Sequence, residues 1–306
     1  MNSTTIYSAE PAKGWLPWGA LAPFLCVVFV AAPLLGVSKL LERFHLADAK
    51  GDPVDLPGLF AFLVYPFAAI GLVVLAWIHF VERRPLATIG LGGAERLQTF
   101  IRGQAIGLAT SAGVVAAIWM AGGLVADGYG KAFGAPMTLG NMCFLLVCFM
   151  LQGGVEEILF RGWLLSAIAR KLDIVAAVVP TSVVFTFLHY SPHQYWLVML
   201  SSFLFSTFTC CWALKTNNIW GVIGWHSGWN WLLAVGFELP VTELDAKLPA
   251  LIVKLTPVGP VYLTGGAQGP EGSFLCSVFF AVASVFLVWS TLRETDSRSR
   301  LIVPGR

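Results

Sequence analysis

Between Gly153 and Trp163 the chain reads G-G-V-E-E-I-L-F-R-G-W, two adjacent carboxylates and a guanidinium inside an otherwise apolar run. A charge at the centre of a membrane-spanning helix costs about 2.5 to 3.5 kcal/mol on insertion scales, so three of them need partners. Residues four apart share one face of a helix, so Glu157 and Arg161 pair and offset each other. Glu156, one residue earlier, points about 100° away, toward a different neighbour. Two later segments supply groups for that spare carboxylate. F-T-F-L-H-Y sets Phe185 and His189 four apart, and G-W-H-S-G-W-N-W sets His226 and Asn230 four apart. Groups of these types are able to do hydrolytic chemistry. A carboxylate beside an imidazole can take a proton from water, and an imidazole NH with an amide NH can hold the developing oxygen of a tetrahedral intermediate. Glu156, His189 and His226 also form a three-ligand zinc set with an open fourth position. There is no H-E-x-x-H helix, and the spacing leaves both chemistries open.

The elements that position these groups must be membrane helices. Of the 306 residues 57% are hydrophobic and 12% charged, with a mean hydropathy of +0.76, where soluble domains carry about 25% charged residues. The apolar residues fall in eight runs, near 15–38, 57–80, 104–126, 139–168, 174–190, 195–214, 219–237 and 273–292. Runs of about 20 residues match the hydrocarbon thickness of a bilayer. Backbone groups in lipid must be paired within the protein, and runs this long exclude barrel strands. The expectation is an all-α polytopic membrane helix bundle of about eight transmembrane helices, a single integral domain over residues 1–306. If the amino terminus is cytoplasmic, twelve of the nineteen lysines and arginines lie inside and six outside, with Arg161 within a span. That bias places both termini in the cytoplasm. Arg83, Arg84, Arg96 and Arg102 are counted here as residues of an inner connection over 81–103.

Other features read as structure. Gly103, Gly107 and Ser111 recur every four residues, a stripe that lets another helix approach closely. The six cysteines lie in the spans without metal-type spacing and read as packing residues. The G-L-G-G near residue 90 follows no strand, so a nucleotide site is not expected, nor is any nucleic-acid partner. The segment 238–272, rich in proline and glycine, is too polar to span and is expected outside.

The three motifs, E-E-x-x-x-R at Glu156, Glu157 and Arg161, F-x-x-x-H at Phe185 and His189, and H-x-x-x-N at His226 and Asn230, resemble the CPBP family in its order. These are the CAAX proteases and bacteriocin-processing enzymes, also called the Abi family. The resemblance covers a core of residues 140–237, and L-T-G-G-A-Q-G-P-E-G-S at 263–273 also resembles a segment found in prokaryotic members. It implies an intramembrane endopeptidase of the plasma membrane of a prokaryote, acting on a membrane-associated and, in the eukaryotic branch, prenylated protein or peptide. By that resemblance Glu156 and His189 would activate water, His226 and Asn230 would stabilise the oxyanion, and Glu157 and Arg161 would support the site. No cofactor is expected, with zinc on Glu156, His189 and His226 as the alternative. Two rival classes are a non-catalytic bacteriocin immunity or scaffold protein, and a transporter using the charges as a proton relay. The chain shows no inverted repeat of the transporter kind.

Overall fold

A computed structural model describes residues 6–8, 10–170, 174–192 and 194–302. In chain order the elements are α1 (Ala22–Arg43), α2 (Leu56–Ala76) with a π-helical end Trp77–Glu82, α3 (Arg96–Met120), β1 (Leu124–Tyr129) and α4 (Pro136–Glu157). A π-helical stretch Ile158–Leu164 joins α4 to α5 (Leu165–Ala169), making one continuous rod. Then follow α6 (Ile174–Leu188), α7 (Trp196–Thr216), α8 (Trp220–Trp231) with a π-helical end Leu232–Gly236, β2 (Val253–Pro257), the single turn α9 (Val261–Thr264) and α10 (Phe274–Ile302).

The bundle is all-α in architecture, and its spans sort by burial. Six helical segments among the described residues are long and apolar enough to cross a membrane. At the periphery, α1 has 17% of its apolar window buried and turns Phe24, Val28 and Leu35 outward. The Pro136–Ala169 rod has 61% buried and runs through the middle. Exposed apolar faces on peripheral helices are what lipid contact requires. The fifth and seventh apolar runs fold as shorter helices of 15 and 12 residues, so length alone supports six spans, not eight. The short α8 needs no lipid-facing length, because every residue from Gly221 to Asn230 is buried by its neighbours.

The small-residue stripe on α3 meets α8. A Cβ on Gly107 would lie 2.2 Å from the Trp225 carbonyl oxygen, so only glycine allows this approach. That contact sets the depth of α8 and hence of His226 and Asn230.

Three expectations shift. The run from residue 15 becomes helical only at Ala22; before it, Gly14 and Trp15 donate backbone hydrogen bonds to Glu82 O and Val81 O. The run 104–126 ends as helix at Met120, because Gly122 takes a left-handed conformation (φ +79°) and the chain continues as β1. β1 pairs antiparallel with β2, from Leu124 opposite Pro257 to Tyr129 opposite Val253, so the polar segment 238–272 carries a strand over one end of the bundle.

Candidate active site

Glu156 and Glu157 end α4, immediately before the backbone widens into the π-helical stretch that carries Arg161. Such widened turns recur at functional sites. His189 follows the last turn of α6, and His226 and Asn230 project from α8.

The carboxylate of Glu156 is divided between two tasks. Its Oε1 accepts a hydrogen bond from Gln152 Nε2 at 2.6 Å. Gln152 Oε1 in turn accepts from Asn230 Nδ2 at 3.1 Å, so one carboxamide links the carboxylate on α4 to the amide on α8. The other oxygen, Oε2, faces His189 Nε2 at 3.9 Å and His226 Nε2 at 4.0 Å. These gaps exceed a direct hydrogen bond and suit a bridging water.

Both rings are fixed from behind. His189 Nδ1 lies 2.8 Å from the carbonyl oxygen of Phe185, an acceptor only, so Nδ1 donates. The Phe185 ring stacks on the His189 imidazole with centroids 4.1 Å apart. His226 Nδ1 donates to Glu157 Oε1 at 2.9 Å. The same oxygen accepts from Arg161 Nη1 at 3.3 Å, which is the pairing expected from their spacing. The Arg161 guanidinium lies over the rings of Phe185 and Phe205, 4.6 and 5.4 Å from their centroids, where ring faces favour a cation. Each ring thus aims its free Nε2 at one carboxylate oxygen.

Glu156, His189, His226 and Asn230 line one cavity of about 250 Å³. Glu157 and Arg161, both 0% exposed, stand behind it and do not line it. All four residues expected to do chemistry therefore meet, and the two expected to support them lie one layer back. Among the further polar residues of the cavity, Gln152, Gln268 and Glu271 were given no role in the sequence reading. Gln152 had a signal, a carboxamide one turn before Glu156 on the same face. Gln268 and Glu271 lie in the segment 263–273 that resembles one in prokaryotic members, but nothing in its spacing placed either residue at the site. Glu271 accepts from Trp229 Nε1 at 3.0 Å and from Thr242 N and Oγ1 at 3.1 and 2.9 Å. Burial pushes its carboxyl above the usual carboxylate range.

Zinc fits this donor set poorly. Ligands at about 2.0 to 2.1 Å from a tetrahedral zinc lie about 3.3 Å from one another, whereas Glu156 Oε2 is 3.9 and 4.0 Å from the two ring nitrogens. Among the described residues no group of three or more His, Cys, Asp and Glu is gathered to hold a metal ion.

Comparison with known proteins finds one matching segment. Residues 138–232 match the family model described as Rce1-like, type II CAAX prenyl endopeptidase. No curated protein and no solved structure matches the chain. The matched segment contains all three motifs, from Glu156 to Asn230. With six helices long and apolar enough to cross a membrane, the chain is an integral membrane protein whose residues 138–232 are similar to the Rce1-like, type II CAAX prenyl endopeptidase family.

Proposed function

We propose that this protein is an intramembrane endopeptidase that hydrolyses a peptide bond in a membrane-associated protein or peptide, with prenylated C-a-a-X termini as one substrate class. The observation that carries the reading is the placement of Glu156 Oε2 about equally far from two ring nitrogens, within a mostly apolar cavity. A water held between Glu156 Oε2 and His189 Nε2 loses a proton to the carboxylate as its oxygen attacks the substrate carbonyl carbon. The carbonyl oxygen becomes an oxyanion and accepts from His226 Nε2–H and Asn230 Nδ2–H. The proton on Glu156 passes to the departing nitrogen, the C–N bond breaks, and a carboxylic acid and an amine result.

His226 donates from both nitrogens in this scheme, so it acts as an imidazolium. The charges then balance, two carboxylates against Arg161 and His226, which a weakly solvated interior requires. Asn230 Oδ1 has no hydrogen-bond partner among the described residues, so its amide is held through the Gln152 contact alone, and a stronger acceptor can draw it away. In this reading the whole chain is one membrane domain with residues 140–237 as its catalytic core, and both termini lie on the cytoplasmic side of a prokaryotic plasma membrane. No metal takes part.

The decisive measurement is cleavage of a lipid-anchored peptide by protein in liposomes. Wild type should cleave it; Glu156→Ala and His189→Ala should lose at least about 100-fold. Equal cleavage by the variants removes the endopeptidase assignment, and proton-coupled uptake would favour a transporter. Stoichiometric zinc that Glu156→Gln or His189→Ala abolishes would overturn the metal-free scheme.

A further inference from the structure

The cavity contains a third carboxamide, besides Gln152 and Asn230, that no step of the hydrolysis uses. Gln268 lines it and is 5% exposed, yet neither its Oε1 nor its Nε2 has a hydrogen-bond partner among the described residues. Buried side-chain amides are nearly always paired, and here a donor and an acceptor on one planar group are both vacant.

The surrounding segment holds Gln268 in place. Gly265 and Gly269 take positive φ angles (+80° and +73°), which favour glycine. A Cβ on Gly269 would lie 2.0 Å from Pro240 O, so the turn is pressed against the neighbouring loop. Three residues beyond Gln268, Glu271 ties the segment to Trp229 on α8 and to Thr242. Ser273 Oγ then donates to Pro270 O at 2.7 Å, at the start of α10. A polar group fixed this firmly and left without partners is prepared for one that arrives from outside.

One residue of an extended peptide presents its C=O and N–H along the same edge. A glutamine carboxamide offers the complementary N–H and C=O in one plane. The other walls of the cavity include Phe62, Phe67, Phe149 and Val198, which suit apolar side chains or a lipid tail, so a peptide backbone entering there needs polar partners of its own. We propose that Gln268 is a substrate subsite that reads the peptide backbone, pairing with the C=O and N–H of one residue beside the scissile bond. This deepens the endopeptidase reading and rests on it.

The test uses full-length protein in nanodiscs, with Glu156→Gln present throughout so that the probe is not consumed. The probe is a dansylated, farnesylated peptide Lys-Ser-Cys-Val-Ile-Met, together with a series carrying one backbone N-methyl group at each successive bond. Gln268→Leu should weaken binding of the parent probe about 10-fold or more, the size of a lost buried pairing. One N-methyl position should weaken binding comparably to protein with Gln268 and hardly at all to Gln268→Leu, which is the signature of a direct contact. Thermal stability of Gln268→Leu should be unchanged or higher, since two unpaired polar atoms are removed from the interior. The proposal is overturned if Gln268→Leu binds as tightly, if neither protein binds, if every N-methyl position affects both proteins equally, as an ordered structural water on Gln268 would give, or if the variant melts lower. Binding that depends on Gln268 without cleavage by the chain retaining Glu156 would remove the endopeptidase reading and leave the subsite standing.

Discussion

Two clusters of charge are buried in this bundle, and they are finished differently. At the end of α2, Glu82 Oε1 accepts from Trp77 Nε1 at 3.0 Å and from Trp163 Nε1 at 2.7 Å, while Oε2 pairs with Arg84 Nε. Arg84 Nη1 donates to Ser166 Oγ at 2.9 Å, and burial pushes the guanidinium down to about 10. Both oxygens of Glu82 are used, Arg84 Nη2 alone in this cluster has no partner among the described residues, and neither Glu82 nor Arg84 lines the cavity. In the other cluster Glu157 Oε2, Asn230 Oδ1 and two nitrogens of Arg161 have no partner among the described residues, and Glu156 Oε2 meets its two rings only across wide gaps. A carboxylate whose acceptors are all filled holds helices together. One with vacant positions facing a cavity is available to water and substrate.

The largest effect should separate the clusters by chemistry. Glu156→Gln is expected to abolish turnover, by at least about 100-fold, while the melting temperature in nanodiscs stays close to wild type. Glu82→Gln should do the reverse, with turnover per folded molecule retained and stability lowered. If both variants simply unfold, the distinction between the clusters fails.

Next comes removal of one member of a pair. Arg161→Ala leaves Glu157 and its neighbours uncompensated and should cost about 3 to 5 kcal/mol, visible as reduced membrane expression and a lower denaturation midpoint. Arg84→Ala should cost a similar amount. Replacing both members sharpens the contrast. Glu82→Leu with Arg84→Met is expected to be neutral or stabilising by about 1 to 4 kcal/mol, with turnover kept. Glu157→Leu with Arg161→Met should also fold, but with impaired turnover, since His226 loses the acceptor that orients it. Equal turnover in the two double variants would show that the Glu157–Arg161 pair is scaffold only.

A smaller effect is expected at Tyr7, whose hydroxyl donates to Arg161 O at 2.7 Å from the amino-terminal segment. Tyr7→Phe should cost about 1 kcal/mol and reduce turnover only slightly. The smallest is a pH dependence. Because burial raises the carboxyl of Glu271, its contribution to stability is complete below the unfolded value, about 4.3, and is lost as pH rises through the folded one. Melting temperature should therefore fall modestly from acid toward neutral pH, and Glu271→Gln should flatten that slope.

Legibility in the sequence followed the cost of what was placed where. Glu156, Glu157 and Arg161 stood out because charge in an apolar run is expensive and must be explained, and the 3.6-residue period predicted which two would pair. The approach of α3 to α8 was visible in Gly103, Gly107 and Ser111, though not which helix they would meet. Arg84 was counted only as a residue of an inner connection, and its burial against Glu82 was not foreseen. Nothing local marks that Trp163, eighty-one residues after Glu82, closes over that carboxylate. The strand pair and the turn at Gly122 were hidden because hydropathy does not distinguish an apolar helix end from a strand that covers the bundle.

By itself the sequence determined that the chain enters a membrane, that it does so as helices, and that three of them carry a carboxylate, two imidazoles and a carboxamide in fixed local register. These follow from composition and from a helical period that acts over a few residues. Only the tertiary structure decided that the short α8 sits at the centre, at a depth set by glycine contacts with α3. It also decided that both Nε2 atoms face one oxygen of Glu156, and that a glutamine from a distant loop lines the same cavity without a partner among the described residues. Distances between side chains on different helices depend on how whole faces pack, and no spacing along one chain segment encodes them.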